Sequence, residues 1–382
     1  MIQPIKNFAV NWTDGMKISE KHFVSHDNFI LDTIRDANSL QLNNYNYGLL
    51  PIGHRSFIED SYFDVFKTAT NDVQINIKHC RALTAAGYRI ELTNFKTNIK
   101  SITKAEEDTE NIESENYYVI VSVNPFKRVP FGDIDAEETP PRHPYTQANY
   151  NIQLLSETNL KNGETGGNYL IIGKIIKEKD TITVDENFIP PCTSLHSHPT
   201  LIAYYNKFAQ LMGDIQQYTL KIIQKVAQNK QGSSLAVNIS NLCSILSNHF
   251  TNIYFTYRNM IPEQSPIYLV EVFSSMALKI YQKTQTLATE ELEEVLNYTY
   301  EWSNITPTTL LNELSAVSEI NYNHNNCHKE LQRINQLLHS LEIIFNKLSS
   351  LDYIGERKEN IIVNEKDITP QPKVKRGWSL LD

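Results

Sequence analysis

The sequence predicts an α+β multidomain protein: an N-terminal antiparallel β-sandwich domain with a leading helix over residues 1–190, an α-helical bundle over 191–355, and a flexible C-terminal tail over 356–382. Three patterns carry that reading. Apolar residues alternate with period two through much of 57–190, recur at spacings of four and three beyond 199, and lose both periods after Leu351. A chain of 382 residues, 41% of them hydrophobic, is long enough for two or three domains and excludes global disorder.

At the N-terminus, Asp14-Gly15 reads as a turn and Ser19 as the cap of a helix. Phe23, Ile30, Ile34, Ala37 and Leu40 give that helix one apolar side. Trp12 and Met16 are expected to anchor it on the β domain, with His22 packed beside them. The strands follow in FIEDSYFDVF, VQINIKH, YRIEL, YYVIVSV and YLIIGKIIKEKDTITV, rich in β-branched and aromatic residues. Ala85-Ala86-Gly87 and Glu178-Lys179-Asp180 read as hairpin turns. Residues 124–145 are Pro-rich and polar, which predicts an exposed loop instead of a strand. Pro190 and Pro191 force extended backbone, end the sheet region and make a stiff strut, with Cys192 a small buried apolar group beside it.

Beyond that strut, Leu201, Tyr205, Phe208, Met212, Ile215, Thr219, Ile222 and Val226 form the seam of a long helix. The segment 228–234 breaks it, and Pro262, Pro266 and Pro307 punctuate the helices that follow. A matching seam, Cys327, Leu331, Ile334, Leu338, Leu341, Phe345 and Leu348, marks the last long helix. Two such stripes need partners: a helical bundle, within one chain or shared between copies, would bury them, and the reading leans on sharing among identical copies of the chain. In the tail, Lys373, Lys375 and Arg376 lead into Trp378, Leu380 and Leu381, a short docking peptide with apolar anchors.

Little in the sequence points to chemistry. A net charge of −9 gives no overall attraction to nucleic acid or anionic lipid, and no apolar run approaches the ~18 residues of a membrane span. The start lacks the pattern of a secretory signal, so the chain is expected in the cytoplasm. Cys80, Cys192, Cys243 and Cys327 have no close pairs and read as reduced, packed thiols. His196 with His198, and His324 with His328, have the spacing of metal ligands without the residues that would complete a site. No nucleophile elbow, HExxH or phosphate loop occurs. The expectation is therefore no enzyme, no cofactor and no metal, with a hydrolase around His196 and His198 as the enzymatic alternative.

Val10-Asn-Trp12-Thr-Asp14-Gly15-Met16-Lys-Ile18, followed by His22-Phe23, resembles the opening of the TssK family, baseplate subunits of the type VI secretion system. Tyr47-Gly48-Leu49, Phe188-Ile-Pro190-Pro191-Cys192 and Tyr322-Asn-His324 are similar to later family elements in the same order. Asp14 stands where the family has Glu, and Glu20-Lys21 where it has Pro-Gln. The resemblance implies a homotrimer with a β shell domain that clamps the TssF and TssG wedge subunits at the cytoplasmic face of the inner membrane. It marks Trp12, Gly15, Met16, His22, Phe23, Pro190 and Pro191 as structural or interaction residues. The chain ends soon after the predicted bundle, where the family carries a head domain that grips the membrane complex. The expectation is that the tail, through Trp378, Leu380 and Leu381, takes over that contact. A phage-like receptor-binding protein that recognises a carbohydrate or surface protein is the alternative.

Overall fold

Alternating apolar residues draw the first half of the chain into two antiparallel sheets. The computed structural model describes residues 3–51, 63–68, 72–99, 115–157, 159, 167–178, 181–229 and 232–356. Helix α1 (Glu20–Ser39) comes first, followed by β1 (Gly48–Leu49), β2 (Phe63–Lys67), β3 (Val73–Leu83) and β4 (Arg89–Ile99). Strand β3 pairs with β4 along one edge and with β2 and β1 in tandem along the other. The expected turn at Ala85-Ala86-Gly87 joins β3 to β4, with Gly87 at φ +89°, a value that favours glycine. The second sheet runs β6 (Tyr145–Ser156), β5 (Glu115–Phe131), β7 (Tyr169–Glu178), β8 (Thr181–Val184), all antiparallel. Phe63 of the first sheet lies over Gly173 of the second so closely that a Cβ there would fall 2.2 Å from its ring.

The stretch 124–145 departs from the sequence expectation. Strand β5 continues to Phe131 and pairs with the start of β6, so only residues 132–144 form the loop. A register shift between Asn124 and Arg128 absorbs the irregular residues, and the Asn124 side chain accepts hydrogen bonds from the backbone N–H of Phe126 and Lys127. The Pro-rich composition hid this strand because Pro130 lies near its end, where a missing N–H is tolerated.

Among the described residues six α-helices follow: α2 (Pro199–Gln228), α3 (Ser234–Asn259), α4 (Pro266–Gln285), α5 (Thr289–Ser303), α6 (Pro307–Ser318) and α7 (His328–Ser350). Both sequence-predicted seams are buried within the single chain, Tyr205 and Val226 only partly. Helices α2 and α7 pack on each other. They run parallel: Tyr204 meets His328 at their starts, and Lys225 Nζ donates to the carbonyls of Ser349 and Leu351 at their ends. This corrects the expectation that the two stripes serve contacts between copies. Their 4-3 spacing records helix packing, and a long helix of the same chain satisfies it as well as a symmetry mate would. One apolar core runs from the sheets, through Ile189, Cys192 and Leu195, into the helices.

Candidate interaction site: the junction and the N-terminal helix

The three motifs at 47–49, 188–192 and 322–324 are far apart in sequence and meet at one place. Extended backbone imposed by Pro190 and Pro191 lies alongside β1 as a parallel bridge between Leu49 and Cys192. Leu49 N–H donates to the Pro191 carbonyl at 2.7 Å, and the Thr193 N–H and hydroxyl both donate to the Leu49 carbonyl at 2.9 Å. Gly48 has φ +121°, and a Cβ on it would sit 2.1 Å from the Pro191 oxygen, so only glycine allows this approach.

From the helical side, His324 Nε2 donates to the Tyr47 carbonyl at 2.8 Å, which fixes Nδ1 as the acceptor for the Tyr322 hydroxyl at 2.9 Å. The Tyr47 ring stands edge-on to His324, its hydroxyl donates to Asn325 Oδ1, and the Asn326 side chain accepts from Ile189 N–H. Burial lowers the pKa of His324, although its bond to the Tyr47 carbonyl pulls the other way. Burial also pushes the Tyr47 hydroxyl up to about 12 and raises that of Tyr322. All these groups are held neutral at physiological pH. The junction is therefore a hydrogen-bonded lock that joins sheet to helices, and no charged or nucleophilic group is poised in it.

Pro190 and Pro191 are both buried in this lock. His198 caps α2 by accepting from Thr200 N–H, and burial lowers its pKa to about 4. His196 faces Glu263 at 3.4 Å. His324 precedes α7 instead of sharing a helix face with His328. Among the described residues no group of three His, Cys, Asp or Glu side chains could hold a metal ion.

The N-terminal residues are arranged differently from the sequence expectation. Gly15 makes the expected turn at φ +78°, with Met16 N–H donating to Thr13 O. Ser19 caps α1, and His22 completes a capping box, its Nδ1 accepting from Ser19 N–H at 3.1 Å. That role escaped the sequence reading because the box usually carries Glu or Gln at this position. Trp12 touches the His22 and His26 rings edge-on yet is 48% exposed, and Phe23 is 58% exposed. Neither joins the core, so the anchoring expected of Trp12 is corrected: polar residues attach this region instead.

Those residues are Asp32 and Arg35, both almost fully buried and paired at 2.6 Å. Asp32 Oδ2 accepts from Lys6 N–H at 2.6 Å and Asn7 N–H at 2.9 Å, and Arg35 donates to the carbonyls of Gln3 and Pro4. Burial opposes ionisation of Asp32, but the two backbone N–H groups and Arg35 outweigh it and lower its pKa to about 2. On the outer side, Arg128 from β5 pairs with Asp27 at 2.8 Å and reaches Asn28. Trp378, Leu380 and Leu381 lie outside the described residues.

Residues 135–342, more than half of the chain, match the family described as "Bacterial Type VI secretion, VC_A0110, EvfL, ImpJ, VasE". The chain belongs to that family. A crystal structure of TssK resembles it with a TM-score of 0.51 at 16% identity, over 87% of this chain and 72% of that one. A chain of a type VI secretion system TssK–TssF–TssG baseplate subcomplex seen by cryo-electron microscopy aligns at 13% identity and a TM-score of 0.47, over 87% of this chain and 99% of that one. No curated protein matches the chain in sequence. At these identities the likeness to TssK is one of fold, and the resemblance drawn from the motifs is borne out at the level of family and fold. The matched region holds β6 to β8, the proline strut, α2 to α6 and the first two thirds of α7. It leaves out Trp12, Gly15, Met16, His22 and Phe23, which rest on the motif resemblance and the geometry above.

Proposed function

We propose that this chain is a structural baseplate component of a type VI secretion system, a homotrimeric adaptor between wedge subunits of the TssF and TssG kind and the membrane-anchored complex. The observation that carries the reading is the family match over 135–342, joined to a TssK-like fold across 87% of the chain. In this reading residues 1–190 form the β-sandwich shell, 191–355 the helical bundle, and 356–382 the docking tail. Trp12, Gly15, Met16, His22 and Phe23 shape the shell's contact end, and Pro190 and Pro191 hold shell and bundle at a fixed angle. The work is geometric, and neither catalysis nor a cofactor enters it. The junction lock supports that role, since an adaptor that transmits force needs two parts held by many mutually satisfied polar groups. Among the described residues no helix is long and apolar enough to cross a membrane. The place on the cytoplasmic face of the inner membrane belongs to this proposal.

Trp378, Leu380 and Leu381 would bind the membrane-side partner weakly one at a time and firmly as three tails on one trimer. Native mass spectrometry tests both claims together. The full chain should give a trimer that takes up wedge subunits, and a chain ending at residue 365 should keep both properties while losing the membrane-anchored partner. A full chain that stays single and takes up no wedge subunit would refute the adaptor role; undiminished capture by the shortened chain would refute the tail.

A further inference from the structure

Helix α1 is built inside out. Its buried positions are Asp32, Arg35 and Ser39, all polar. At about 100° per residue, Phe23, Ile30 and Ile34 fall within about 40° of one another, while the three buried residues lie about 120–180° from Phe23. The apolar stripe therefore points to solvent, and each of its members is 41–58% exposed. An ordinary surface helix has the opposite arrangement. Here the polar side is occupied: it grips the backbone of residues 3–7 through the Asp32 and Arg35 bonds described above. The grip also sets Phe8 and Trp12 beside the helix with their side chains largely uncovered.

We propose that the outward stripe of α1, centred on Phe23, Ile30 and Ile34, is where copies of this chain meet each other. This deepens the homotrimer reading above and rests on it. Two features favour a second copy over another occupant. With the longer seams of α2 and α7 buried within the chain, α1 is the long helix whose apolar side is left outside. Phe8, Trp12, Ile18, Phe23, Ile30 and Ile34 together expose on the order of 600 Å², at the upper end for a monomer and near the ~800 Å² per partner of a stable interface.

Because the four native cysteines are all buried, a single introduced thiol reports contact cleanly. Under mild oxidation Ile30→Cys should link two chains at least tenfold more than Gln217→Cys, a control at an exposed site on α2. The double variant Phe23→Ser, Ile34→Ser should give a single-chain native mass with an unchanged circular dichroism spectrum. Equal linking at the two thiols, or a folded double variant that keeps the wild-type mass, overturns the proposal. Linking of Ile30→Cys to an added wedge subunit instead of to itself also overturns it and assigns the face to that partner. If the double variant fails to fold, the thiol result decides. A wild-type chain that is single in solution removes the trimer reading as well, whereas a multimeric wild type without Ile30→Cys linking removes α1 alone.

Discussion

Gly48 shows at the scale of one residue how tightly the junction is specified. Its positive φ and the Pro191 oxygen 2.1 Å from any Cβ leave no room for a side chain, and the oxygen is already fixed by Leu49 N–H. Gly48→Ala therefore has to break the β1 bridge to the proline strut or strain the backbone, at a cost of about 3 kcal/mol or more. Urea unfolding should show a lower midpoint with the slope retained. Gly213→Ala, on α2 with open space around its Cβ, should be neutral or slightly stabilising in the same experiment. The contrast separates a clash from a general intolerance of glycine replacement. The Tyr-Gly-Leu motif was legible in the sequence. Its reason was not, because Pro191 is more than a hundred residues away and only the fold brings it close.

At the scale of elements, sequence periodicity named the helices and the hairpin turn well and their partners poorly. A 4-3 stripe reports that a helix packs on something, and the spacing is the same whether the partner is α7 or another chain. The apolar side of α1 was equally visible, but the sequence reading turned it inward, since nothing in the spacing reveals that Asp32 and Arg35 form a buried pair. Their bonds to residues 3–7 are the missing information. The helices also leave one imperfection, an apolar cavity of about 40 Å³ lined by Leu246, Val295, Leu314 and Phe345 among others. At roughly 24 cal/mol per Å³ such a void costs about 1 kcal/mol. Val295→Ile, which adds one methyl group from a fully buried position on α5, should recover about 0.5–1 kcal/mol and raise the melting temperature by roughly 2 °C. A lower melting temperature would mean that the void cannot accept the added methyl group in an allowed rotamer.

Across the whole molecule, several of the polar groups that join elements are neutral histidines, and this makes stability depend on pH. His198 caps α2, His324 bonds Tyr47 to Tyr322, and His249 links α3 to α4, donating to the Val272 carbonyl while Lys279 donates to its Nδ1. Burial lowers the pKa of each, reinforced at His249 by the Lys279 charge, and burial lowers that of His328 at the start of α7 as well. Between the folded and unfolded values the unfolded chain binds more protons, so stability is full above about 6.5 and falls as the pH drops toward 4. Glu330 works against this, because burial raises its pKa and a folded carboxyl that takes up a proton early gains stability on acidification. Four groups against one leave a net loss. Asp32, held at about 2, adds its own loss only below its ordinary value of 3.8. Unfolding midpoints in urea should therefore decline from pH 7 to pH 5, with His198 accounting for on the order of 2 kcal/mol by pH 4. His198→Asn keeps a side chain able to cap α2 but removes the titration, so it should flatten part of that decline while leaving stability at pH 7.5 within about 1 kcal/mol. A wild-type profile level from pH 7 to 5, or a variant profile parallel to it, would mean that protonation at these joints is coupled to neither the cap nor the core.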